Sequence, residues 1–210
     1  MGNVRARTDA EVAARRAEIL DATAALLAEQ EYESVTLAAI AKKCSIARPS
    51  VYHYYATKEE VYLDLMRREY AAWATEIRVR FKGRMGREKF CRELAESLLG
   101  RRLILQLLAI NDASLRSKCG DEAIMDFQRD IHPFFVELAE VLRKQFPNAV
   151  ESEREMFRTQ LTMYSYSIYP LLSYPEGFVG QVGRMNLYGE VAPIEDLVTK
   201  GLMLLSVELR

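Results

Sequence analysis

Apolar residues recur at helical spacing along most of the chain. The motif Thr8-x-x-Glu11 is typical of a capping box, in which side chain and backbone at the start of a helix satisfy each other. Apolar positions follow from Ile19 onward at intervals that place them on one helical face. This pattern predicts a first helix over about 9–29.

Two shorter helices are predicted next. The stretch 36–43 carries apolar residues on one face, and Thr36 is a good N-cap for it. The stretch 48–55 has Pro49 in its first turn, where a missing N–H does no harm. Three helices with a tight turn between the last two indicate a helix-turn-helix unit.

Helical spacing continues to the end of the chain, and strand signals are sparse. A second capping-box motif, Thr57-x-x-Glu60, predicts the start of a long fourth helix, and two glycines within 82–88 predict its end. Further helices are predicted over the following ranges: 87–99, 101–116, 121–145, 151–172 and 193–209. Pro133 should kink or split the third of these, and the glycines and prolines of 173–193 indicate a loop. The expected fold is all-α.

Composition argues against a membrane protein, a disulfide-bonded secreted protein and an enzyme. The 210 residues are 28% charged with a formal net charge of −1, and no apolar run reaches the length of a membrane span. The scattered thiols Cys44, Cys91 and Cys119 argue against disulfides or structural zinc, and the charged N-terminus lacks a signal peptide, so a reducing cytoplasm is the expected location. With only His53 and His132 and no nucleotide-binding motif, we expect no enzyme, no metal and no cofactor.

Charge is unevenly distributed. No acidic residue lies between Glu33 and Glu59, a stretch that coincides with the predicted helix-turn-helix. The cations there are Lys42, Lys43, Arg48 and Lys58. A basic face that also carries hydroxyls is typical of a nucleic-acid site, where hydroxyls and cations contact phosphates. A solvated basic surface with buried tyrosines is the alternative that composition leaves open.

The same residues resemble a known family. The stretch 19–66, ILDATAALLAEQEYESVTLAAIAKKCSIARPSVYHYYATKEEVYLDLM, is similar to the N-terminal domain of the TetR/AcrR family of bacterial transcription repressors. The positions that carry the resemblance are Tyr32, Thr36, Ile40, Ala41, Ile46, Val51, Tyr52, Tyr54, Tyr55, Lys58 and Glu59. The remainder of the chain resembles the family only in length and helical content.

Three positions depart from the family pattern. Glu31 stands where a glycine usually follows the first helix, and Ser45 replaces the glycine of the turn between the second and third helices. We expect Ser45 to adopt a positive φ at some energetic cost. Ala47 replaces the serine that usually caps the third helix, so a capping hydrogen bond should be missing there.

The resemblance implies a DNA-binding domain over 1–60, with its motif at about 36–55 and a short recognition helix from Ala47 to about His53. The implied DNA-contacting residues are Thr36, Arg48, Ser50, Tyr52, His53, Tyr54 and Lys58. Arg48 is the best candidate for reading a base, with a phosphate contact as the alternative. Tyr52 would contact a phosphate or pack partly buried, and Tyr55, at the family's phenylalanine position, would belong to the core.

The resemblance also implies a larger α-helical domain over 61–210 that binds a small molecule and forms a homodimer. The ranges 151–172 and 193–209 are apolar on more than one face. Packing against a partner subunit is the simplest way to bury the additional apolar face. The alternative is that these helices are buried in the core of a monomer. Candidate effector contacts are Trp73, Gln106, Asn111, Phe127, His132 and Tyr164, although aromatic residues of this kind also serve as core packing. A mainly apolar or aromatic effector with polar anchors would suit them.

These expectations combine into one leading function. The chain would be a homodimeric repressor that binds double-stranded operator DNA and leaves it when an effector binds. The alternative is a DNA-bound interaction protein of the same fold that has no small-molecule effector. Neither the effector nor the operator can be identified from the sequence.

Overall fold

The computed structural model describes residues 8–110, 112–173 and 192–209, with the side chains of 112–114 left out. Every regular element in these ranges is helical. The helices are α1 (Asp9–Glu29), α2 (Leu37–Lys43), α3 (Arg48–Tyr52), α4 (Lys58–Arg80), α5 (Arg87–Leu99), α6 (Arg102–Leu108), α7 (Asp112–Gln145), α8 (Glu151–Tyr166), α9 (Ile168–Ser173) and α10 (Ile194–Leu205), with a 3₁₀ turn at Tyr32–Ser34. The predicted all-α fold is confirmed. Nowhere in the described chain is a helix both long and apolar enough to cross a membrane.

The predicted caps of the first two helices are present. At the start of α1 the Thr8 hydroxyl accepts from the Glu11 amide over 3.3 Å, and the Glu11 carboxylate accepts from the Thr8 amide over 2.8 Å. At the start of α2 the Thr36 hydroxyl accepts from the Ala39 amide over 3.1 Å. These bonds satisfy backbone donors that a helix start leaves without partners, so both helices begin where the sequence indicates.

The turn between α2 and α3 confirms the expectation for Ser45. Its φ is +56°, in the left-handed region that favours glycine. The Ser45 amide donates to Lys42 and the Ile46 amide donates to Ala41, over 3.1 and 3.0 Å. These two bonds form a Schellman motif, which ends α2 and turns the chain into α3.

Replacing Ser45 by glycine should stabilise the protein by about 0.5–1 kcal/mol, because glycine adopts a positive φ without the steric cost that Ser45 bears. Thermal or urea unfolding followed by circular dichroism measures the gain. The matched control is Lys42→Gly, at an exposed helical position with ordinary φ, which should lose about 0.5–1 kcal/mol instead. A loss in both variants would contradict the strain argument.

The third helix is the short recognition helix that the resemblance implies, with Ala47 as its N-cap and His53 as its C-cap. It spans Arg48–Tyr52, whereas the sequence pattern suggested a helix to residue 55. The Tyr54 and Tyr55 amides both donate to the Val51 carbonyl, which tightens the end of the helix. No side chain caps its start, as expected for Ala47.

The chain divides into two compact units. The first comprises residues up to 68 together with 112–128, and the second comprises 69–111 together with 129–210. The first unit thus includes part of α7, whose buried residues there are Leu115, Ile124 and Phe127. The boundary at residue 60, inferred from the resemblance, remains a prediction.

Three helices in the later part of the chain differ from the predicted ones. The helix expected over 101–116 ends at Leu108, where the Ile110 amide donates to Leu107 in a tight last turn. Within α7 the backbone leaves helical geometry at Gly120 (φ 81°, ψ 162°), a conformation that favours glycine, and this break agrees with the predicted helix start at 121. Pro133, which was expected to kink or split this helix, lies inside it without a departure from helical dihedral angles. The helix expected over 151–172 is interrupted at Ser167.

The loop predicted over 173–193 falls almost entirely outside the described residues. Next along the chain comes α10, which starts at Ile194, one residue after the predicted 193.

Aromatic side chains fill much of the second unit's core. Trp73 stacks on Phe134 with ring centroids 4.4 Å apart, and its indole N–H donates to the Ser97 hydroxyl over 2.9 Å. Elsewhere α8 and α10 approach closely at Gly201, where an added Cβ would lie 2.3 Å from the Tyr164 hydroxyl oxygen.

Candidate nucleic-acid interface

The short helix α3 has one buried and one exposed face. Val51 is fully buried and fixes the helix to the first unit. Arg48, Tyr52 and His53 are exposed, and Ser50 is half-buried. The residues of α3 and its C-cap that are expected to contact DNA therefore lie away from the core, with the partial exception of Ser50.

Arg48 and Tyr52 form a pair on that exposed face. One terminal nitrogen of Arg48 donates to the Tyr52 hydroxyl over 3.2 Å. The guanidinium carbon lies 5.7 Å from the centre of the Tyr52 ring. Tyr52 itself is 47% exposed, so it is a surface residue and not the partly buried packing residue that the sequence left as an alternative.

Thr36 and Tyr54 lie outside α3, at the N-cap of α2 and two residues after the end of α3. Thr36 is exposed, and its oxygen accepts the capping bond of α2, which leaves its hydroxyl hydrogen free to donate. Tyr54 is half-buried after the end of α3. Both positions are compatible with phosphate contacts through a hydroxyl.

Lys58 has intramolecular partners that the sequence did not indicate. Its ammonium donates to the Tyr32 carbonyl over 2.9 Å and to the Glu33 carbonyl over 3.4 Å. It also lies 4.3 Å from the centre of the Tyr32 ring. An ammonium has three donors, so one remains for a phosphate.

The two neighbouring lysines of α2 differ. Lys43 forms an ion pair with Glu29 over 2.9 Å, which neutralises part of its charge locally. Lys42 is exposed. The basic character of this face therefore comes mainly from Lys42, Arg48 and the partly exposed Lys58.

A polar cluster anchors the chain directly after α3. The buried Tyr55 hydroxyl donates to Asp64 over 2.7 Å, and Arg67 donates to the other Asp64 oxygen over 2.7 Å. Arg16 lies 3.8 Å from Asp64 and stacks over the Tyr55 ring. Burial, followed by the bond to Asp64, raises the pKa of Tyr55 well above its ordinary value.

Tyr55 is buried, as predicted for a core residue. Its partners Asp64, Arg16 and Arg67 were not predicted from the sequence. The tyrosine at a position where the family has phenylalanine indicates such a partner, because a buried hydroxyl needs a hydrogen-bonding group.

The described effector candidates are divided between the two units. Phe127 lies in the first unit, buried under Arg67, whereas the other described candidates belong to the second. Trp73 and Gln106 are buried, and Tyr164 donates to the Leu197 carbonyl over 3.3 Å. Asn111 lies outside the described residues.

His132 is exposed and lines an open groove. The groove has a volume of about 370 Å³, and Phe135, Arg158 and Thr162 line it as well. A larger open groove of about 700 Å³ lies between α5 and α10, with Ala95, Leu99 and Met203 among its apolar residues and charged residues around them. In the part of the chain that is described, no three His, Cys, Asp or Glu side chains come together as metal ligands would.

Solved structures with the same fold are transcriptional regulators. The fatty acid degradation regulator FadR from Bacillus halodurans is 17% identical, with a TM-score of 0.56 over 96% of both chains. FadR from Bacillus subtilis, solved with stearoyl-CoA, is 13% identical, with a TM-score of 0.59 over 92% of this chain and 98% of that one. A TetR/AcrR regulator from Thermobifida fusca is 14% identical, with a TM-score of 0.57 over 93% and 98%.

Family models account for most of the sequence, although no curated protein matches it. The model for bacterial regulatory proteins of the tetR family matches residues 19–65, which include the whole helix-turn-helix. The model for the tetracyclin repressor-like C-terminal domain matches residues 67–183, more than half of the chain. The chain therefore belongs to the TetR family, and it is a DNA-binding transcriptional regulator.

Proposed function

We propose that this regulator is a homodimeric repressor that a small, mainly apolar or aromatic effector releases from its operator. The observation that carries the DNA-binding part is the exposed face of α3, which bears Arg48, Tyr52 and His53 in a stretch without acidic residues. DNA is a polyanion, so a face with uncompensated cations attracts it, and exposed polar side chains on a short helix suit the major groove.

Individual roles follow from the positions of the side chains. Arg48 reads a base, because a guanidinium matches the two acceptors of guanine in the major groove. The remaining proposed contacts, to phosphates or groove edges, are Thr36, Ser50, His53, Tyr54 and Lys58. Lys58 uses the donor that its two carbonyl partners leave over.

Lys58→Met should weaken binding to all DNA sequences by a similar factor. The salt slope, which is the slope of the log binding constant against the log salt concentration, should become shallower by about 0.9, the contribution of one phosphate contact. Methionine keeps an apolar stem over the Tyr32 ring while removing the charge. Arg48→Ala should instead lower the binding free-energy difference between the preferred base pair and the others at one operator position by about 1–3 kcal/mol. Fluorescence anisotropy with operator and scrambled duplexes at several salt concentrations distinguishes the two effects.

Lys89→Met is the control for Lys58→Met, since Lys89 is an exposed cation of α5 outside the proposed DNA contacts, and its loss should leave the salt slope unchanged. Melting curves of each variant show whether the loss of the carbonyl contacts has changed folding. Unchanged affinity and salt dependence in Lys58→Met and Arg48→Ala on a native operator would contradict the proposed site.

Exposed apolar side chains support a homodimer. Met156, Met163 and Tyr166 on α8 are between 48% and 66% exposed, and Leu204 on α10 is 75% exposed. Apolar residues that cluster on two adjacent helices of one unit are typical of an interface. We propose that the ranges 151–172 and 193–209 pair with the same ranges of a second copy around a two-fold axis.

The effector part of the proposal depends on chemistry in the second unit. Its aromatic cluster and the apolar residues between α5 and α10 favour an apolar ligand. The similar fold of the stearoyl-CoA complex of Bacillus subtilis FadR supports the view that a domain of this kind accommodates an acyl chain. Long-chain acyl-CoA compounds and apolar aromatic compounds are therefore the first to test.

A genuine effector should raise the stability of the protein by about 2.7 kcal/mol at a hundredfold excess over Kd. It should also lower operator affinity, because coupling between two binding sites is reciprocal. A thermal-shift screen with stearoyl-CoA, shorter acyl-CoA compounds and aromatic compounds, followed by operator titration with each hit, measures both effects. Coenzyme A without an acyl chain is the matched control.

One observation favours the alternative, a DNA-bound interaction protein without an effector. Trp73, the largest of the predicted effector residues, is used in packing against Phe134 and Ser97, as a core residue would be. A ligand that raises the melting temperature and leaves operator affinity unchanged would support this alternative over the repressor.

A further inference from the structure

The Arg48–Tyr52 pair is well placed to determine how α3 meets DNA. The two residues are four positions apart and therefore lie on the same helical face. The hydrogen bond of 3.2 Å and the guanidinium carbon at 5.7 Å from the ring centre hold Arg48 along the helix. Both side chains are exposed, whereas Val51 of the same helix is buried.

Few other groups compete for the Arg48 guanidinium. The sequence has no carboxylate between Glu33 and Glu59, and within residues 8–110, 112–173 and 192–209 no ion pair to Arg48 is found. The position of the guanidinium in the free protein therefore depends on Tyr52.

The hydrogen bond to Tyr52 leaves Arg48 able to read a base. A guanidinium has five N–H donors, and its two edges each present a parallel pair of them. The two hydrogens of the bonded nitrogen belong to different edges, so one bond to a hydroxyl leaves the other edge complete. A complete edge is what bidentate bonding to O6 and N7 of guanine requires.

We propose that Tyr52 is a positioning residue that orients Arg48 and thereby sets the preference for guanine at the base pair Arg48 reads. This inference rests on the proposed function, in which α3 binds operator DNA. It differs from a phosphate contact by Tyr52, because a positioning residue acts only through Arg48.

The test uses duplexes that the wild-type protein selects from a randomised library, with affinities measured by fluorescence anisotropy. Arg48→Ala first identifies the base pair whose preference depends on Arg48. Tyr52→Phe, which keeps the ring and removes the hydroxyl, should then lower the guanine preference there by about threefold to tenfold. Preferences at other positions should not change, and Tyr52→Phe should have no further effect on this base pair in the Arg48→Ala background.

Two further variants make the result specific. Tyr169→Phe removes a hydroxyl from a second arginine–tyrosine pair, in which the Arg102 guanidinium carbon lies 5.7 Å from the ring centre, and should leave base preference unchanged. Arg48→Lys keeps the charge but lacks a two-donor edge, so it should lose the preference and keep the salt slope. Circular dichroism melts verify that all variants are folded.

Other outcomes overturn the inference. An equal loss of affinity for every duplex, in both backgrounds, would make Tyr52 a phosphate contact. Unchanged affinity and preference in Tyr52→Phe, or an Arg48→Ala variant that keeps every base preference, would also refute it. A wild-type protein that selects no sequence at all would refute the proposed function itself.

Discussion

Replacing Asp64 by alanine is expected to lower the free energy of unfolding by about 2–4 kcal/mol. Asp64 accepts from the buried Tyr55 hydroxyl and from Arg67, and its side chain is only 19% exposed. Without it, the Tyr55 hydroxyl stays buried with no acceptor, which is the costly arrangement for a polar group. Urea unfolding followed by circular dichroism measures the loss.

The Asp64 variant should also bind operator more weakly. Tyr55 lies three residues beyond the end of α3, and its bond to Asp64 fixes the segment that leaves the recognition helix. A looser segment lets the helix adopt orientations that do not match the groove. Tyr55→Phe, which removes the donor but keeps both arginines on Asp64, should show a smaller version of both effects, at about 1 kcal/mol of stability.

Asp21→Ala is the matched control. Asp21 also pairs with an arginine of the first unit, Arg68, over 2.6 Å, but its side chain is 72% exposed. Exposed ion pairs contribute about 0–1 kcal/mol, so this variant should be nearly as stable as the wild type. Equal losses for Asp64→Ala and Asp21→Ala would show that the Tyr55 contact contributes little.

Helix starts were predictable because their chemistry is local. The Thr8–Glu11 box and the Thr36 cap each act over three residues, so the sequence contains all the information that determines them. The strain at Ser45 was predictable from the family's glycine at that position, and the observed φ of +56° confirms it. The basic stretch between Glu33 and Glu59 could be predicted for the same reason, since its charges are close together in the sequence.

Features that depend on distant residues could not be predicted. Lys58 bonds to carbonyls of Tyr32 and Glu33, about 25 positions away, and no spacing rule indicates such a contact. The end of α6 at Leu108 could not be predicted, because the apolar residues Ala109 and Ile110 follow it and no glycine or proline marks the end of the helix. Pro133 lies inside α7, whereas the helical geometry is interrupted at Gly120. Proline disfavours helix more strongly than glycine does, so the position of the interruption did not follow from helix propensity.

Leu204→Glu is expected to convert the proposed dimer into monomers at micromolar concentration. Leu204 is 75% exposed in the protomer, so a carboxylate there leaves the isolated fold intact. In a symmetric interface the substitution would bury an unpaired charge on each subunit, at a cost of about 3–5 kcal/mol or more. Operator affinity should then fall at least about a hundredfold, because a monomer engages only one half-site at a time.

Sedimentation velocity over a range of protein concentrations measures the assembly, and operator titration measures the functional loss. Leu204 is a sharper choice than its half-buried neighbour Leu205, whose replacement would also disturb packing within the protomer. Met125→Glu is the matched control, since Met125 is 65% exposed in the first unit, outside the proposed interface. If the wild type sediments as a monomer, or if Leu204→Glu associates as tightly as Met125→Glu, then α8 and α10 do not form the dimer interface, and their exposed apolar side chains require another partner.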